Sequence, residues 1–338
     1  MGFEPVLIGR VLPGSRPVER AYSTRRMKLL FRKGPLFYFE YNLRLFFCLF
    51  RLKIDVFVSN DLDTLPANYL ASRIKRKPLV YDSHEYFTEV PELVNRPRVK
   101  AIWTRIEKAL VPKVDAAYTV CESIAEVYRS KYGVDFKVVR NLPVRATTKS
   151  IADRISNSPK IILYQGALNL GRGLEDTIKA MQFIEGAEFW LAGDGDLTQK
   201  LKELAISLKL ESKVKFLGRL PLQELNEVTR KADLGISLEE DLGLNYRFAL
   251  PNKLFDYIQA GVPVLVSDLP EMKRIVLKYE VGTFVENAKR SELAEALKDA
   301  LFDDEKREIW GRNMNWAADK LNWEREEEIV QGIYSAYL

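Results

Sequence analysis

A short helix that leads directly into a buried strand is predicted by the stretch Ala249-Leu-Pro-Asn-Lys-Leu-Phe-Asp-Tyr-Ile-Gln-Ala-Gly-Val-Pro-Val-Leu-Val-Ser-Asp268. Pro251 fixes a helical φ near the start of the helix. Gly261 and Pro263 end the helix before the apolar run at residues 264–266. A helix followed at once by an apolar strand is the repeating unit of an α/β protein.

Lys253 and Asp256 lie three residues apart on one face of this predicted helix. A cation near a helix N-terminus suits a phosphate group, and a carboxylate one turn later suits sugar hydroxyls. The alternative is an ordinary αβ unit in which the two side chains form a solvated i,i+3 pair. The helix alone leaves both interpretations open.

Composition restricts the class of protein. A chain of 338 residues exceeds what one hydrophobic core usually organises, so two α/β domains are expected. Its 47% of apolar and 29% of charged residues are typical of a globular protein. Cys48 and Cys121 are too few for a disulfide framework and fit a reducing cytoplasm. Because His84 is the only histidine and no Cys-x-x-Cys pair occurs, no metal site is expected.

Positive charge is concentrated in the first half of the chain. Residues 1–150 carry 27 lysines and arginines against 15 acidic residues, whereas the remainder carries 25 against 32. Much of the excess flanks an aromatic segment at residues 37–50, whose own charged residues exclude a membrane-spanning helix. Two interpretations stay open: a buried helix with a basic rim, or docking on an anionic membrane surface. No nucleic-acid recognition motif is present, so that partner is not expected.

Strand-like runs alternate with helical patterns, which predicts parallel sheets with right-handed crossovers. The predicted strands cover residues 5–8, 55–59, 79–82, 117–120, 138–139, 160–164, 188–192, 214–217, 234–238, 262–266 and 282–285. The predicted helices cover residues 67–74, 101–110, 123–131, 174–183, 197–208, 222–231 and 293–302. Because the chain opens directly on a strand, we expect either a true start upstream of Met1 or a first domain without its first strand–helix unit.

Two domains joined by a polar linker follow from this alternation. Residues 145–159 are polar and interrupt the pattern. We place an N-terminal domain at residues 1–145, a linker at 146–159, a second domain at 160–321 and a returning C-terminal helix at 322–338. Two Rossmann-like halves arranged in this way leave a cleft at the carboxyl ends of their strands, where ligands of open α/β sheets bind.

A glycine-rich loop follows the strand predicted at residues 160–164. Gly166, Gly171 and Gly173 let backbone N–H groups approach an anion, and Arg172 adds a fixed positive charge. Taken alone, such a loop is a weak signal for phosphate binding.

Two further turns follow later strands. Gly193 and Asp194 invite comparison with a dinucleotide-binding turn, but Thr198 occupies the position of the third glycine. Arg219 and Leu220 follow the next strand, where the backbone either frames a planar base or forms an ordinary βα turn.

Polar residues also end two strands of the N-terminal half. Asp82, His84 and Glu85 lie at the carboxyl end of one strand. A histidine at that position is a ligand candidate, although a lone histidine is more often structural. Asn60 and Asp61 end the neighbouring strand and either bind acceptor hydroxyls or cap the next helix. Since no nucleophile is evident near His84, hydrolase chemistry is disfavoured.

Six motifs, in order, resemble the retaining family 4 glycosyltransferases of the GT-B fold over nearly the whole chain. They are Y-D-S-H-E (81–85), N-L-P (141–143), Y-Q-G-A-L-N-L-G-R-G (164–173), L-A-G-D-G (191–195), F-L-G-R (216–219) and A-L-P-N-K-L-F-D-Y-I-Q-A-G-V-P-V (249–264). The resemblance implies an α/β protein with two Rossmann-like domains facing a cleft, here lacking the first strand–helix unit. It also implies sugar transfer from a nucleotide-diphosphate sugar with retention of configuration, without a metal or other cofactor.

The resemblance further implies residue roles. Arg172 matches the family's phosphate-binding lysine, Lys253 is a second cation for the diphosphate, and His84 matches a histidine near the donor sugar. These three are the candidate catalytic residues. Asp256 matches the acid that contacts the donor ribose. The other donor-binding candidates are Gly166, Gly171, Gly173, Gly193, Asp194, Arg219, Leu220 and Asn252. The acceptor-side candidates are Asn60, Asp61, Asp82 and Glu85.

This chain departs from the family pattern at two positions. The family often has a glutamate eight positions before the ribose-binding acid, where this chain has Phe248, and Glu239 or Glu240 is a candidate replacement. Ala167 stands where an arginine often follows the first glycine of the loop. Arg172 and Lys253 are therefore left to provide the positive charge.

We therefore expect a cytoplasmic glycosyltransferase at the inner face of the membrane that builds a cell-envelope polysaccharide or a lipid-linked glycan. Its expected partners are a nucleotide sugar, a glycan or lipid-linked acceptor, and an anionic membrane contacted peripherally. The alternative, favoured by Phe248, is a catalytically weakened GT-B binding or partner subunit. A sugar-nucleotide epimerase is disfavoured because the order of the motifs is that of the transferases.

Overall fold

The structure of the protein, a computed structural model, describes residues 2–15, 17–146, 159–286 and 290–338. The chain divides into two compact units. Unit 1 comprises Met1–Val139 with Glu328–Leu338, and unit 2 comprises Arg140–Glu327. Residues 147–158, which form most of the expected linker, lie outside the described residues. The expected domain boundaries stay predictions.

Unit 1 is built around parallel strands. Its strands are β1 (Val6–Val11), β2 (Ser23–Lys28), β3 (Phe57–Asn60), β4 (Leu79–Ser83), β5 (Ala116–Thr119) and β6 (Lys137–Val138). Its helices are α1 (Pro35–Arg51), α2 (Leu65–Lys75), α3 (Pro91–Val94), α4 (Pro97–Leu110) and α5 (Glu122–Tyr132). Strands β3, β4, β5 and β6 pair in that order, while β1 pairs with β2 in a separate two-stranded sheet.

The register of the four-stranded sheet brings polar strand ends to one edge. Asn60 of β3 lies opposite Asp82 of β4, and Ser83 lies opposite Thr119 of β5. All five residues of β4 are buried, as expected for a central strand of a parallel sheet covered on both faces. The buried strands thereby fix where the polar residues after them can lie.

Unit 2 contains one larger parallel sheet. Its strands are β7 (Lys160–Gln165), β8 (Ala187–Ala192), β9 (Val214–Gly218), β10 (Leu234–Ser237), β11 (Val264–Ser267) and β12 (Gly282–Val285). Its helices are α6 (Leu174–Ala180), α7 (Thr198–Ser207), α8 (Leu222–Lys231), α9 (Leu244–Arg247), α10 (Asn252–Gln259), α11 (Pro270–Tyr279), α12 (Arg290–Phe302) and α13 (Asp304–Lys320). Helix α14 (Trp323–Tyr334) begins in unit 2, and its later residues belong to unit 1.

The strand order of this sheet creates a switch point. The order is β12-β11-β10-β7-β8-β9, so the chain proceeds from β7 to one side and then returns to the other side with β10. The loops after β7 and β10 leave neighbouring strands at the same edge and then diverge. Open α/β sheets bind ligands at such a position.

Helices cover both faces of the unit 2 sheet. Ile162, Phe189 and Leu265 pack with α6, α7 and α12 on one face. Leu163 and Val264 pack with α10, α11 and α13 on the other. Alternate residues of β7 therefore enter opposite cores, which is why these strands are continuous apolar runs in the sequence. Each such buried side chain stabilises the fold by roughly 1.5–3 kcal/mol.

The parallel α/β architecture expected from the sequence is confirmed. Every predicted strand is present, with its ends shifted by at most three residues. Strand β2 and helices α3, α9, α11 and α13 were not predicted. Helix α13 does carry a helical pattern, because Trp310, Met314 and Ala317 are buried at a spacing of four and three residues. Strand β2 has no apolar run and is set by backbone pairing with β1.

Helix α1 is apolar on two opposite faces. Phe37, Tyr41, Leu45 and Leu49 are buried, so the buried-helix interpretation holds for that face. The other face carries an exposed apolar stripe formed by Leu36, Phe39, Leu43, Phe47 and Phe50. Within the described ranges, no helix has both the length and the apolar character needed to cross a bilayer.

Candidate functional site

The glycine-rich loop between β7 and α6 lies at the switch point of unit 2. Gly166, Gly171 and Gly173 have positive φ angles of 136°, 77° and 66°. A Cβ atom on Gly173 would lie 2.7 Å from the carbonyl oxygen of Leu238. The backbone N–H of Glu240 donates to the carbonyl oxygen of Gly171 at 3.0 Å. The glycine-rich loop is therefore packed directly against the loop that follows β10.

The loop after β8 packs against the same glycines. A Cβ atom on Gly193 would lie 1.8 Å from the carbonyl oxygen of Gly166, so only glycine fits there. The carboxylate of Asp194 accepts hydrogen bonds from the hydroxyl of Thr198 at 2.8 Å and the backbone N–H of Gly195 at 2.9 Å. The bond from Thr198, followed by that from Gly195, holds the pKa of Asp194 below its ordinary value. Asp194 thus orders the start of α7.

Three other predicted donor-binding residues are less constrained. Arg219 has a side chain that is 80% exposed and lies 3.9 Å from Asp194, a distance at which an exposed pair contributes little stability. Leu220 is half-buried, and Asn252, the first residue of α10, is exposed. Their roles toward a donor stay predictions.

Two cations of unit 2 meet on one buried carboxylate. Oε1 of Glu239 accepts hydrogen bonds from Nζ of Lys253 at 2.7 Å and from Nη1 of Arg172 at 3.3 Å. Oε2 of Glu239 accepts from the hydroxyl of Ser237 at 2.7 Å. Nζ of Lys253 also lies 4.4 Å from the ring centroid of Tyr164. These contacts join the loop after β10, the glycine-rich loop and α10.

The charges in this cluster suit an anionic ligand. Burial opposes ionisation of Glu239, but Lys253, then Ser237 and Arg172, hold the pKa of its carboxyl below its ordinary value. Burial lowers the pKa of Lys253, and the carboxylate of Glu239 opposes that effect. One carboxylate neutralises one of the two cations, so one positive charge remains beside the glycine-rich loop.

Asp256 has a partner of its own. Nε2 of Gln165 donates to Oδ2 of Asp256 at 2.8 Å, and Oε1 of Gln165 accepts from the hydroxyl of Thr229 at 2.7 Å. Burial raises the pKa of Asp256 to about 6. The interpretation of Lys253 and Asp256 as a solvated i,i+3 pair is therefore wrong, since Lys253 bonds to Glu239 and Asp256 bonds to Gln165.

A second polar cluster lies in unit 1. Oδ2 of Asp82 lies 3.0 Å from Nε2 of His84 and accepts from the hydroxyl of Tyr118 at 3.0 Å. The backbone N–H of His84 donates to Oδ1 of Asp61 at 2.9 Å. The hydrogen bond with Asp82 is the largest cause that raises the pKa of His84. The side chain of His84 is 43% exposed, so it combines a fixed orientation with access for a ligand.

The capping interpretation of Asn60 and Asp61 is wrong. The N-cap of α2 is Thr64, and no side-chain hydrogen bond caps this helix. The hydroxyl of Thr64 donates instead to the carbonyl oxygen of Asn60 at 2.8 Å, and the carboxylate of Asp61 accepts from His84. Asn60 is exposed and Glu85 is half-buried, and their acceptor roles stay predictions.

The structure adds partners whose roles the sequence motifs did not indicate. Arg172 and Lys253 share Glu239, which the sequence offered only as a substitute for the glutamate missing at Phe248. The other new partners are Gln165 for Asp256 and Tyr118 for Asp82. Gln165 ends β7 inside the motif at residues 164–173, where the sequence assigned it no role, and Tyr118 lies in β5 outside the six motifs.

Solved structures with the same fold define the class of protein. Sucrose-phosphate synthase from Thermosynechococcus elongatus matches with a TM-score of 0.79 and 16% identity, over 99% of this chain and 89% of that one. The Anabaena protein HepE, solved in complex with UDP, matches with a TM-score of 0.73 and 16% identity, over 93% and 86%. The chain therefore has the GT-B fold of glycosyltransferases.

Family models identify the family. The model for glycosyl transferases group 1 matches residues 147–315, and the model for glycosyltransferase family 4 matches residues 1–142. The group 1 model covers half of the chain, so the chain belongs to the glycosyl transferases group 1, and its N-terminal part matches the family 4 model. An uncharacterized glycosyltransferase of Methanocaldococcus jannaschii is 30% identical over 133 residues, which are 38% of this chain and 32% of that protein. The chain thus spans about a third of the length of this curated relative.

Proposed function

We propose that this glycosyltransferase moves a sugar from a nucleotide-diphosphate sugar to a glycan or lipid-linked acceptor, with retention of configuration and without an essential metal. One observation carries the donor half of the proposal: Arg172 and Lys253 converge on Glu239 beside the glycine-rich loop at the switch point of unit 2. The complex of HepE with UDP supports a nucleoside diphosphate as the kind of ligand.

The two cations suit the chemistry of the leaving group. In the transfer step the bond between C1 of the donor sugar and the diphosphate oxygen breaks, and that electron pair adds negative charge to the departing diphosphate. Arg172 presents a planar fork of N–H donors, and Lys253 presents a compact ammonium. Charges that are in place beforehand stabilise this developing negative charge more than the ground state. They supply the positive potential that a metal ion provides in other transferases.

Asp256 fits the ribose of the donor. Its carboxylate is held by Gln165, is largely buried and, with a pKa of about 6, is ionised at neutral pH. An ionised carboxylate accepts hydrogen bonds from two neighbouring hydroxyls, which is the arrangement of ribose O2′ and O3′. Gln165 thereby fixes the orientation of the side chain that we assign to the ribose.

His84 is proposed to contact a hydroxyl of the transferred sugar. Its bond to Asp82 fixes the ring, and its exposed fraction leaves room for a ligand. Retention of configuration requires the acceptor oxygen to form its bond on the face from which the diphosphate leaves. We propose this stereochemistry from the family resemblance, and product anomer analysis by NMR tests it.

Nucleotide titration tests the donor site. We expect wild-type protein to bind UDP or GDP in isothermal titration calorimetry, and Arg172→Ala and Lys253→Ala to weaken binding by about ten- to a hundredfold, since hydrogen bonds to charged groups contribute about 1.5–3 kcal/mol. Lys298→Ala is the matched control, because Lys298 pairs with Glu295 on the surface of α12. Equal affinity in all four proteins would refute the assignment of the two cations.

Phe248 favours a second candidate function, a binding subunit with weakened catalysis. The family position of a glutamate is occupied by this apolar residue, and Glu239 bonds to both cations. Incubation with UDP-sugars and cell-envelope glycans, followed by mass spectrometry of the products, separates the two functions. UDP binding without release of UDP from any donor would favour the binding subunit.

We also propose that unit 1 contacts an anionic membrane through α1. The exposed stripe defined above follows a spacing of three or four residues, so it lies along one side of the helix. The chain just before, within and just after α1 carries Arg32, Lys33, Arg44, Arg51 and Lys53, of which Arg44 pairs with Glu40 at 2.7 Å. The acidic residue of α1, Glu40, is buried and accepts hydrogen bonds from the backbone of residues 30 and 31. An apolar stripe with cationic flanks suits a helix lying in the surface of an anionic bilayer.

Vesicle flotation tests this surface. We expect the protein to float with vesicles of phosphatidylglycerol and phosphatidylcholine but less with phosphatidylcholine alone, since each interfacial cation contributes about 1 kcal/mol on anionic lipid. The double variant Phe39→Ser/Phe47→Ser should lose flotation. Phe183→Ser, which removes an equally exposed phenylalanine from unit 2, should not. Equal flotation of both variants, or dimerisation through the stripe, would contradict the membrane proposal.

A further inference from the structure

Glu239 lies deepest in the cation cluster. Its side chain is fully buried, whereas the side chain of Lys253 is 9% exposed and that of Arg172 is 29% exposed. A ligand arriving from solvent therefore meets the cations before the carboxylate. This order distinguishes Glu239 from a residue that binds a sugar directly.

The position of the carboxylate is set by the backbone around it. The N–H of Glu240 donates to the carbonyl oxygen of Gly171, and Gly173 leaves no space beside Leu238. The hydroxyl of Ser237 donates to Oε2 of Glu239, whereas the two cations donate to Oε1. The side chain of Glu239 is thus fixed relative to the glycine-rich loop on which Arg172 lies.

We propose that Glu239 is a positioning residue for the donor diphosphate, and that one of its carboxylate oxygens holds Arg172 and Lys253 side by side and keeps the buried lysine charged. The inference rests on the proposed function, because it concerns the same anion site. Lys253 donates one of its three N–H bonds to Glu239, and Arg172 donates one of five. The remaining donors are available to phosphate oxygens.

The groups that face Lys253 explain why the carboxylate is needed. Burial lowers the pKa of Lys253 most, and the neighbouring charge of Arg172 lowers it further. Glu239 raises it, and the aromatic face of Tyr164 lies against the ammonium. Tyr257 of α10 is neutral, because burial raises the pKa of its phenol well above the ordinary value, and its hydroxyl donates to the carbonyl oxygens of Leu163 and Ile236. Without the charge of Glu239, burial and Arg172 favour the neutral amine, and the aromatic face of Tyr164 is left to favour the ammonium.

Glu239→Gln tests the inference, because it keeps the shape of the side chain and removes its charge. The pKa of Lys253 is measured by NMR in protein labelled with 13Cε-lysine, and its signal is assigned with Lys253→Arg. We expect Glu239→Gln to lower the pKa of Lys253 by about one unit or more, since a neighbouring opposite charge typically shifts a pKa by 1–3 units. Glu240→Gln is the matched control, because it changes an exposed neighbouring carboxylate. It should leave the pKa of Lys253 unchanged.

Arg172→Gln provides an independent variant at a more exposed position. We expect it to raise the pKa of Lys253, because the competing cation leaves the shared oxygen. In calorimetry, UDP affinity should decline at a lower pH in Glu239→Gln than in wild type. An unchanged pKa of Lys253 in Glu239→Gln or in Arg172→Gln would overturn the inference.

Failure of the inference and failure of the proposed function give different results. The NMR titrations use protein without nucleotide, so they decide the role of Glu239 even if UDP and GDP do not bind. Absence of nucleotide binding by wild type would refute the donor site. Binding by wild type with the same pH dependence in Glu239→Gln would refute only the positioning role.

Discussion

His84 is the one histidine in the sequence, and its ring is oriented by the carboxylate of Asp82 in β4, the strand that His84 directly follows. Arg172, Lys253 and Asp256 could be predicted because each lies in a local motif with its own spacing. The partner of the two cations could not, since Glu239 approaches them only after β10 pairs with β7. Sequence motifs therefore located the charged groups, while the contacts that tune them depend on tertiary structure.

Asp82→Asn should lower the pKa of His84, because the hydrogen bond to Asp82 is the main cause of the raised value. The pKa is measured from the imidazole signals in 1H NMR, which the single histidine makes unambiguous. A raised pKa in the folded state means that this interaction stabilises the fold fully below the unfolded-state pKa, about 6.5. That stabilisation is lost as the pH rises through the folded-state pKa.

The control for this titration is Glu92→Gln, an exposed acid of α3. It should leave the His84 titration at the wild-type value. The stability difference between wild type and Asp82→Asn should decrease as the pH rises, as measured by urea unfolding from pH 5 to 9. A pKa of His84 that is equal in wild type and Asp82→Asn would show that this carboxylate does not hold the ring.

The elements that sequence predicts best are those with apolar residues on both faces. Residues 161–164 of strand β7 form an uninterrupted apolar run because helices cover both faces of the sheet. Strand β2 was missed because its sequence is largely basic and its pairing with β1 is a backbone property. Helix α13 was missed although its buried positions follow a helical spacing, because most of the residues between them are charged or polar. A helix or strand that is buried on one side alone has a weaker apolar pattern in its sequence.

Gly193→Ala should destabilise unit 2 by separating two loops of the candidate site. The added methyl group would lie 1.8 Å from the carbonyl oxygen of Gly166, and the residue has a φ of 154°. Forcing an atom into packed backbone typically costs about 1–3 kcal/mol. We expect urea unfolding followed by tryptophan fluorescence to show a loss at the upper end of that range, together with weaker UDP binding.

Gly332→Ala is the matched control for that substitution. An added Cβ on Gly332, within α14, meets no atom within 4 Å. Stability should stay unchanged or rise by up to about 1 kcal/mol, because alanine is favoured over glycine in a helix. Wild-type stability in Gly193→Ala would contradict the close approach of the loops after β7 and β8.

At the scale of the whole molecule, the excess positive charge and the proposed phosphate-binding cations lie in different parts of the chain. The first 150 residues have an excess of positive charge, but the proposed phosphate cations lie in the second part of the chain, which has an acidic excess. Overall charge therefore indicates the proposed membrane surface on unit 1, whereas the proposed donor site rests on two cations held by one buried carboxylate. Net charge is a property of surfaces and gave no indication of a site of this size.

Hydrogen exchange followed by mass spectrometry should map the donor site across the whole chain. With saturating UDP, we expect slower exchange in the glycine-rich loop at residues 166–173 and in residues 238–243, because the diphosphate would pair with N–H groups and restrain both loops. Peptides from α12 and α13, which pack on the faces of the sheet, should exchange as before. In Arg172→Ala the protection should be lost at the same UDP concentration. If UDP slows exchange in other segments but leaves exchange in both loops unchanged, the nucleotide binds elsewhere. That result would refute the site at the switch point of unit 2.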